Sequence, residues 1–167
     1  GLLTLSEVCR TIREVSEASG LPIVADADTG YGEEEMIVRA VHEYERAGAA
    51  GMHLEDQVFP KRCGHLDGKT LISTDRMVEN VRAAASAKIH PDFLLIARTD
   101  ARSVEGMDEA VERATAYREA GADMIFPEGL ASADEFRTFA ERCPGLLLAN
   151  MTEFGKTPIL NITNFSD

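Results

Sequence analysis

Apolar residues at the start of the chain follow first the spacing of a helix and then that of a buried strand. One helical face carries Leu5, Val8, Ile12 and Val15. Thr4, followed three residues later by Glu7, has the pattern of a capping box, and Gly20 is placed to end the helix. The uninterrupted apolar run at 21–25 then predicts a buried strand.

The same alternation continues along the chain. Further helices are predicted at 33–47, 74–88 and 107–120, and a second capping-box pattern at Ser132 and Glu135 predicts one more that ends near Cys143. Further strands are predicted at 51–54, 93–97, 124–126 and 146–149. Continuous apolar strands that alternate with helices favour a parallel sheet with helices packed on it.

Five β/α units in series are compatible with a β/α barrel or with a doubly wound sheet. Two helix-to-strand junctions, 47–49 and 120–122, carry the same Ala-Gly-Ala tripeptide, which fits a repeated unit. No G-x-G-x-x-G follows a predicted strand, so the sequence lacks the dinucleotide-binding fingerprint.

Polar residues follow the end of every predicted strand. They are Asp26 and Asp28, Glu55 and Asp56, Arg98 and Asp100, Glu128, and Asn150, in strand order. In a β/α barrel the carboxyl ends of the strands converge on one mouth, where catalytic groups lie. Several carboxylates at one mouth repel each other unless a cation or protons compensate them, and oxygen ligands suit Mg²⁺. The alternative interpretation is that the acidic residues are solvated loop residues.

A run of reactive side chains lies at residues 60–65, after the second predicted strand. Lys61, Arg62 and His65 are able to attract carboxylates, and Cys63 is a candidate nucleophile, base or acid. An unperturbed thiol has a pKa of about 8.5 and therefore still carries a proton near neutral pH. Pro60 and Gly64 are typical of a loop that changes conformation. A basic loop with an incidental thiol is the competing interpretation.

Composition narrows the classes of partner. Seventeen Lys and Arg against 29 Asp and Glu give a formal net charge of −12, which argues against nucleic-acid binding because phosphate backbones require a basic surface. No apolar run approaches the roughly 18–20 residues that a membrane-spanning helix needs. The three cysteines are widely spaced, which disfavours a disulfide framework and favours a reducing, cytoplasmic location.

These motifs resemble the isocitrate lyase and phosphoenolpyruvate mutase superfamily. Residues 24–32 are similar to its metal-site segment, and residues 61–65 match the K-[KR]-C-G-H motif of its lyase branch. The segments 54–57, 97–101 and 126–128 also align, and the T-E-F-G at 152–155 resembles methylisocitrate lyases in particular. The resemblance extends from about Leu3 to Pro158.

The resemblance implies roles for individual residues. Asp26 and Asp28 would hold Mg²⁺, or Mn²⁺ in its place, with Glu55 supporting the metal waters, and Cys63 would be the catalytic acid. The residues implied to bind the substrate are Gly64, Arg98, Glu128, Asn150, Met151 and Thr152. The residues implied to shape the catalytic loop that closes over it are Lys61, Arg62 and His65.

The family fold is a (β/α)8 TIM barrel, which typically needs ~250 residues. We therefore expect residues 1–167 to form one partial TIM-barrel catalytic domain, without the first two strands and the last strand. The Ser-Gly-Gly substrate loop and the later arginines of the family are not in the sequence, and residues 159–167 differ from the helix expected there.

The implied activity is Mg²⁺-dependent cleavage of 2-methylisocitrate, a tricarboxylate, to pyruvate and succinate. The alternatives are cleavage of isocitrate or dimethylmalate, carboxyphosphonoenolpyruvate phosphonomutase chemistry, or an inactive fragment of such an enzyme. The resemblance also implies a homotetramer for the full-length protein, while the net charge and the short apolar runs argue against a nucleic-acid or membrane partner.

Overall fold

The computed structural model describes residues 2–64, 66–153, 155, 157–161 and 163. Its strands are β1 (Val24–Asp26), β2 (Gly51–Glu55), β3 (Leu94–Thr99) and β4 (Met124–Pro127). Its helices are α1 (Leu5–Ser19), α2 (Glu34–Ala47), α3 (Thr74–Ala87), α4 (Ala101–Val104), α5 (Met107–Glu119) and α6 (Ala133–Arg142). The predicted helices and the first four predicted strands are thus present, and α4 is an additional short helix that the apolar pattern did not indicate.

Helix boundaries follow local capping chemistry. The Thr4 hydroxyl accepts a hydrogen bond from the Glu7 N–H, and the Glu7 carboxylate accepts one from the Thr4 N–H at 2.8 Å, which completes the predicted capping box. At α6 only half of the predicted box forms. The Ser132 hydroxyl accepts from the Glu135 N–H, whereas the Glu135 carboxylate accepts from the Ala131 N–H and from Arg102.

The strands form a parallel sheet in the order β1-β2-β3-β4. Neighbours in the sheet are also neighbours in the chain, as in a β/α barrel, whereas a doubly wound sheet reverses its strand order at a switch point. The register places Asp26 opposite His53 and Glu55 opposite Arg98. The carboxyl ends of the strands therefore lie side by side.

The two outer strand predictions are partly wrong. β1 begins at Val24 rather than at Leu21, which is 65% exposed, because Pro22 lacks the N–H that a sheet ladder requires. Residues 146–149 form one parallel bridge, Ile125 with Leu147, instead of a full strand. Among the described residues, each of these outer segments pairs on one side only, which limits the length of its ladder.

The hydrophobic core lies between the sheet and the helices. Fully buried side chains from α2, β2, α3, β3, α5, β4 and α6 fill it, with Tyr44, Tyr117 and Phe139 among the largest. Among the described residues, no helix is both long enough and apolar enough to cross a membrane. The core fixes the strands, and with them the residues at the strand ends.

Candidate metal and substrate site

Three carboxylates converge at the carboxyl ends of β1 and β2. Asp26 ends β1, Asp28 follows two residues later, and Glu55 ends β2. The Lys61 Nζ lies 2.8 Å from Asp28 Oδ1. The same nitrogen is 3.6 Å from Glu55 Oε2 and 3.9 Å from Asp26 Oδ2. The three side chains expected to hold a metal thus surround one cation position, and the Lys61 ammonium takes that position.

A tight turn after β1 fixes the two aspartates. The Asp28 N–H donates to Asp26 Oδ1 at 2.8 Å, and the Glu55 N–H donates to the Asp28 carbonyl at 2.9 Å. Asp28 has φ 49°, a left-handed conformation that aspartate adopts more readily than most residues. Burial alone would raise the pKa of Asp28, but the hydrogen bond and charge of Lys61 outweigh it, so that the pKa is lowered.

Glu55 is the most buried of the three carboxylates, with 1% of its surface exposed. Neither of its carboxylate oxygens has a hydrogen-bond partner among the described residues. Burial raises the pKa of Glu55 to about 7, although the charges of Arg98 and Lys61 act in the opposite direction. Buried carboxylate oxygens are normally satisfied, so that two orphaned oxygens beside a cation position suggest a ligand that is bound there.

The site has the charge and the donor atoms that a divalent ion requires. Among the described side chains, a connected network contains five carboxylates and three cationic groups, which carry two net negative charges when all are ionised. Its members are Asp26, Asp28, Glu55, Asp100 and Glu128, with Lys61, Lys69 and Arg98. No group of three His, Cys, Asp or Glu side chains in the described ranges is arranged as a metal site as it stands. Oxygen donors of this kind suit Mg²⁺ or Mn²⁺ once Lys61 withdraws.

Four of the predicted substrate-binding residues lie together beside the carboxylates. Arg98 Nη2 is 3.5 Å from Glu128 Oε2, and Asn150 Nδ2 donates to the same oxygen at 3.2 Å. Gly64 packs so closely on this pair that a Cβ there would lie 2.4 Å from Arg98 Nη2 and 2.6 Å from the Glu128 side chain. Arg98 Nη1 also lies 3.5 Å from Glu55 Oε2, which joins this group to the metal candidates.

Arg98 is buried and held in one orientation. Its Nε donates to Asp100 Oδ2 at 3.0 Å and its Nη2 to Asp100 Oδ1 at 3.2 Å. Its guanidinium also lies over the Phe126 ring, 5.1 Å from the centroid. Burial would lower the pKa of Arg98, but the charge of Asp100 raises it above the ordinary value. Arg98 is therefore a permanent positive charge at the end of β3.

The segment 61–64 carries the thiol and is anchored at Arg62. Gln57 accepts a hydrogen bond from the Arg62 N–H and donates one to the Arg62 carbonyl, both at 2.9 Å. The Arg62 guanidinium donates to the Asp67 carbonyl, while Cys63 is exposed. His65 lies outside the described residues. Lys61 lies among the three carboxylates, and its role in shaping the closing loop stays a prediction.

The structure does not draw Met151 and Thr152 into the same group. The Met151 sulfur accepts a hydrogen bond from the Leu160 N–H at 3.2 Å. Thr152 is exposed, and its carbonyl accepts from the Gly155 N–H at 3.0 Å. Their predicted contact with the substrate stays a prediction. Phe154, in the T-E-F-G motif, and residues 164–167 of the divergent tail lie outside the described residues.

Asp56 has a different role from the other strand-end acids. It is fully buried and accepts hydrogen bonds from Thr99 Oγ1 at 2.7 Å, from the Tyr117 hydroxyl at 2.9 Å and from the Asp100 N–H at 3.0 Å. These bonds tie β2 to β3 and α5. Its place after a strand predicted a site residue, whereas its partners make it part of the scaffold.

Sequence reasoning missed two residues that border the site. Lys69 is buried and bonds to the Gly64 carbonyl and to Asp100. His53 is partly buried, with Nδ1 3.4 Å from Asp26 Oδ1 and its ring against Phe126. The register of β1 against β2 was the available signal for His53. Lys69 follows a glycine in a polar stretch that carries no comparable signal.

The chain matches known proteins along its whole length. A family model described as phosphoenolpyruvate phosphomutase matches residues 1–165. The 2-methylisocitrate lyase of Aeropyrum pernix is 54% identical over 167 residues, which is 100% of this chain and 54% of that protein. Proteins named 2-methylisocitrate lyase are 44–56% identical to the chain. The chain spans about half the length of the curated relatives it matches.

Solved structures give the same assignment. A 2,3-dimethylmalate lyase, described as a PEP mutase/isocitrate lyase superfamily member, superposes with a TM-score of 0.92 at 43% identity, covering 97% of this chain and 55% of that one. A phosphonopyruvate hydrolase in complex with oxalate and Mg²⁺ has a TM-score of 0.76 at 33% identity, covering 88% and 51%. The expected partial (β/α)8 barrel is thereby confirmed. The chain belongs to the phosphoenolpyruvate mutase/isocitrate lyase superfamily.

Proposed function

We propose that the protein to which this chain belongs cleaves 2-methylisocitrate to pyruvate and succinate in a reaction that depends on Mg²⁺. The observation that carries the proposal is the convergence of Asp26, Asp28 and Glu55 on one cation position, next to Arg98 and Glu128. The names of relatives that are 44–56% identical supply the substrate.

Asp26 and Asp28 would hold the divalent ion, with Glu55 oriented toward it or toward its waters. When bound, the ion supplies a Lewis acid that stabilises negative charge on the substrate hydroxyl oxygen, an effect worth several kcal/mol. For the ion to enter, the Lys61 side chain must leave the position between the carboxylates. Mn²⁺ offers the same charge and oxygen preference and serves as the alternative ion.

Arg98 and Asn150 would orient the substrate. Arg98 keeps its charge because Asp100 accepts two of its hydrogen bonds, and it presents that charge beside Glu128 and Gly64. A guanidinium suits carboxylate recognition because its donors form a planar fork. The substrate has three carboxylates, and an excess of negative charge in the protein would oppose its binding unless a metal ion compensates it.

Cys63 would supply the proton that completes the reaction. A base takes the hydroxyl proton, which allows the bond between the carbinol carbon and its neighbour to break, and the electron pair of that bond stays on the succinate carbon. The Cys63 thiol donates its proton to this carbon while the carbinol carbon becomes the carbonyl of pyruvate. Closure of the segment 61–64 would keep water away from the carbanion.

The test is a pyruvate-release assay on the full-length protein with 2-methylisocitrate and Mg²⁺. We expect pyruvate and succinate in equal amounts, and loss of both when a chelator removes the metal. Cys63→Ser should lose turnover while it still binds pyruvate or succinate in the presence of Mg²⁺. Normal turnover by this variant would remove Cys63 from the mechanism.

A second candidate function is cleavage of 2,3-dimethylmalate, favoured by the close superposition on a lyase of that name. Dimethylmalate carries a methyl group where methylisocitrate carries a carboxymethyl group. Release of propionate rather than succinate would therefore identify this activity. Isocitrate and phosphonate substrates complete the panel, and turnover of none of them by the full-length protein would leave a non-catalytic role.

Two further features are part of the proposal. A homotetramer is expected for the full-length protein, which size-exclusion chromatography with light scattering would test. A cytoplasmic location is expected because a free, exposed thiol at Cys63 needs a reducing compartment.

A further inference from the structure

Lys69 is a buried cation that the reaction described above does not use. Only 1% of its side-chain surface is exposed. Its Nζ donates to Asp100 Oδ1 at 2.8 Å and to the Gly64 carbonyl at 2.5 Å. Lysine is rarely buried without a partner, because removing an ammonium from water is costly. Both of its partners lie at the candidate site, so that the position of the ammonium is specific to that site.

The Asp100 end of this bridge is rigid. Asp100 follows β3 directly, and its N–H donates to the buried Asp56 at 3.0 Å. Its carboxylate also accepts two hydrogen bonds from Arg98. The carboxylate is thus fixed to the sheet by its own backbone and by a neighbouring side chain. A cation bound to it is fixed to the sheet in turn.

The Gly64 end of the bridge carries the thiol segment. Gly64 follows Cys63 directly and packs against Arg98 and Glu128 without room for a side chain. The Cys63 carbonyl accepts from the Leu66 N–H at 2.9 Å, which closes a turn around Gly64. The hydrogen bond from Lys69 to the Gly64 carbonyl therefore holds this turn against the end of β3.

We propose that Lys69 is a positioning residue, which ties the Cys63–Gly64 turn to β3 through Asp100 and so sets where the thiol lies relative to Arg98 and Glu128. The importance of that placement for turnover rests on the proposed function, since it assumes that Cys63 donates the proton. The tether itself does not depend on any substrate.

The geometry confines the effect of losing Lys69 to the turn. When Lys69 is replaced by a neutral residue, Asp100 still pairs with Arg98, so that the charge of its carboxylate stays compensated. The Gly64 carbonyl alone loses its partner in this bridge. Lys88 offers a matched control, because its Nζ also binds an aspartate, Asp123 Oδ2, at 2.8 Å. That pair lies at the opposite end of β3, where Asp123 accepts from the Leu95 N–H.

Limited trypsin digestion of the full-length protein tests the tether without substrate. We expect Lys69→Met to increase the rate of cleavage after Lys61 or Arg62 about tenfold or more, because a protease needs a locally opened segment. Mass spectrometry identifies the cleavage position and measures the rate. Lys88→Met should leave this rate within about twofold of the wild type, and Lys69→Arg should restore part of the protection. Equal rates in Lys69→Met and the wild type would overturn the proposal.

Circular dichroism and enzyme kinetics test the proposal further. Circular dichroism should show that Lys69→Met and Lys69→Gln are folded, and global unfolding of both would contradict a role confined to the turn. In the pyruvate assay, Lys69→Met should lower kcat about tenfold or more with a smaller change in KM. Faster cleavage with unchanged kcat would overturn the positioning role. A wild-type protein that releases no pyruvate would refute the proposed function, while the digestion would still test the tether.

Discussion

The Lys61 ammonium lies 2.8 Å from Oδ1 of Asp28, in the position that we propose for a metal ion. A cation held there competes with a divalent ion for the same oxygens. Lys61→Met should therefore tighten Mn²⁺ binding to the full-length protein about tenfold, measured by isothermal titration calorimetry. The readout does not depend on turnover, in which Lys61 can have a separate part.

Lys88→Met is the control for that titration, since its ammonium binds Asp123 away from the three carboxylates. It should leave the Mn²⁺ dissociation constant unchanged. Weaker Mn²⁺ binding by Lys61→Met would mean that the ammonium assists the metal rather than replaces it.

Glu55→Gln should weaken metal binding and stabilise the metal-free protein at pH 8. Burial raises the pKa of Glu55 to about 7 from an ordinary 4.5. Between pH 4.5 and pH 7 the folded state therefore retains a proton that the unfolded state has lost. The stability of the metal-free protein should therefore fall as the pH rises from 4.5 to 7, and glutamine should remove that fall. We expect a thermal midpoint about 2–4 °C higher than the wild type at pH 8 in EDTA, and little difference at pH 5.

The same variant should bind Mn²⁺ at least about tenfold more weakly. Glu43→Gln, which alters a surface pair with Arg46, is the control and should change neither property. A wild-type midpoint that stays constant from pH 5 to pH 8 in EDTA would contradict the assignment.

Gly64→Ala should impair turnover by steric displacement. The added Cβ would lie 2.4 Å from Arg98 Nη2, so that the turn must move away from the site. A displacement of this kind should reduce kcat/KM about 100-fold. Gly68→Ala separates this effect from backbone strain, because Gly68 has φ +76° but the nearest described atom to its Cβ would be in Arg62, at 3.4 Å. That control should lower stability while kcat/KM stays within a few-fold of the wild type.

Glu135→Gln should destabilise the fold through the loss of an ion pair between helices. The hydrogen bond from Arg102 lowers the pKa of Glu135, and the carboxylate also accepts from the Ala131 N–H. A lowered pKa gives stability that is present above the unfolded value of 4.5 and lost as the pH falls below it. The thermal midpoint should drop by about 2–4 °C at pH 7, with the difference shrinking below pH 4.5.

Asp134→Asn, one residue earlier, is the matched control for Glu135. Asp134 pairs with Arg137 at the surface, where its side chain is 88% exposed. Exposed pairs contribute little because water and salt screen them. An equal drop for both variants would show that the partly buried pair of Glu135 with Arg102 contributes no more stability than the surface pair.

Local and topological signals account for what the sequence predicted. Periodicity gave the helices and inner strands, and the convergence of Asp26 with Glu55 followed from parallel neighbours whose carboxyl ends meet. Pro22 and the exposed Leu21 shortened β1, because a ladder needs N–H donors that the apolar pattern does not report.

Long-range electrostatic contacts account for what the sequence did not predict. Lys69 meets Asp100 across 31 residues, and Lys61 folds back between carboxylates on two strands. Periodicity and capping rules concern neighbours in the chain and carry no information on such pairs. Asp56 shows the converse, since its place after β2 resembles that of a site residue while its partners are scaffold groups.

The most direct test of the central claim is the stoichiometry of Mn²⁺ bound to the full-length protein, measured by electron paramagnetic resonance in the wild type and in Asp28→Asn. We expect about one tightly bound Mn²⁺ per chain in the wild type and its loss in the variant, with Asp134→Asn unchanged. Retention of that ion by Asp28→Asn, or no bound ion in the wild type, would contradict the account.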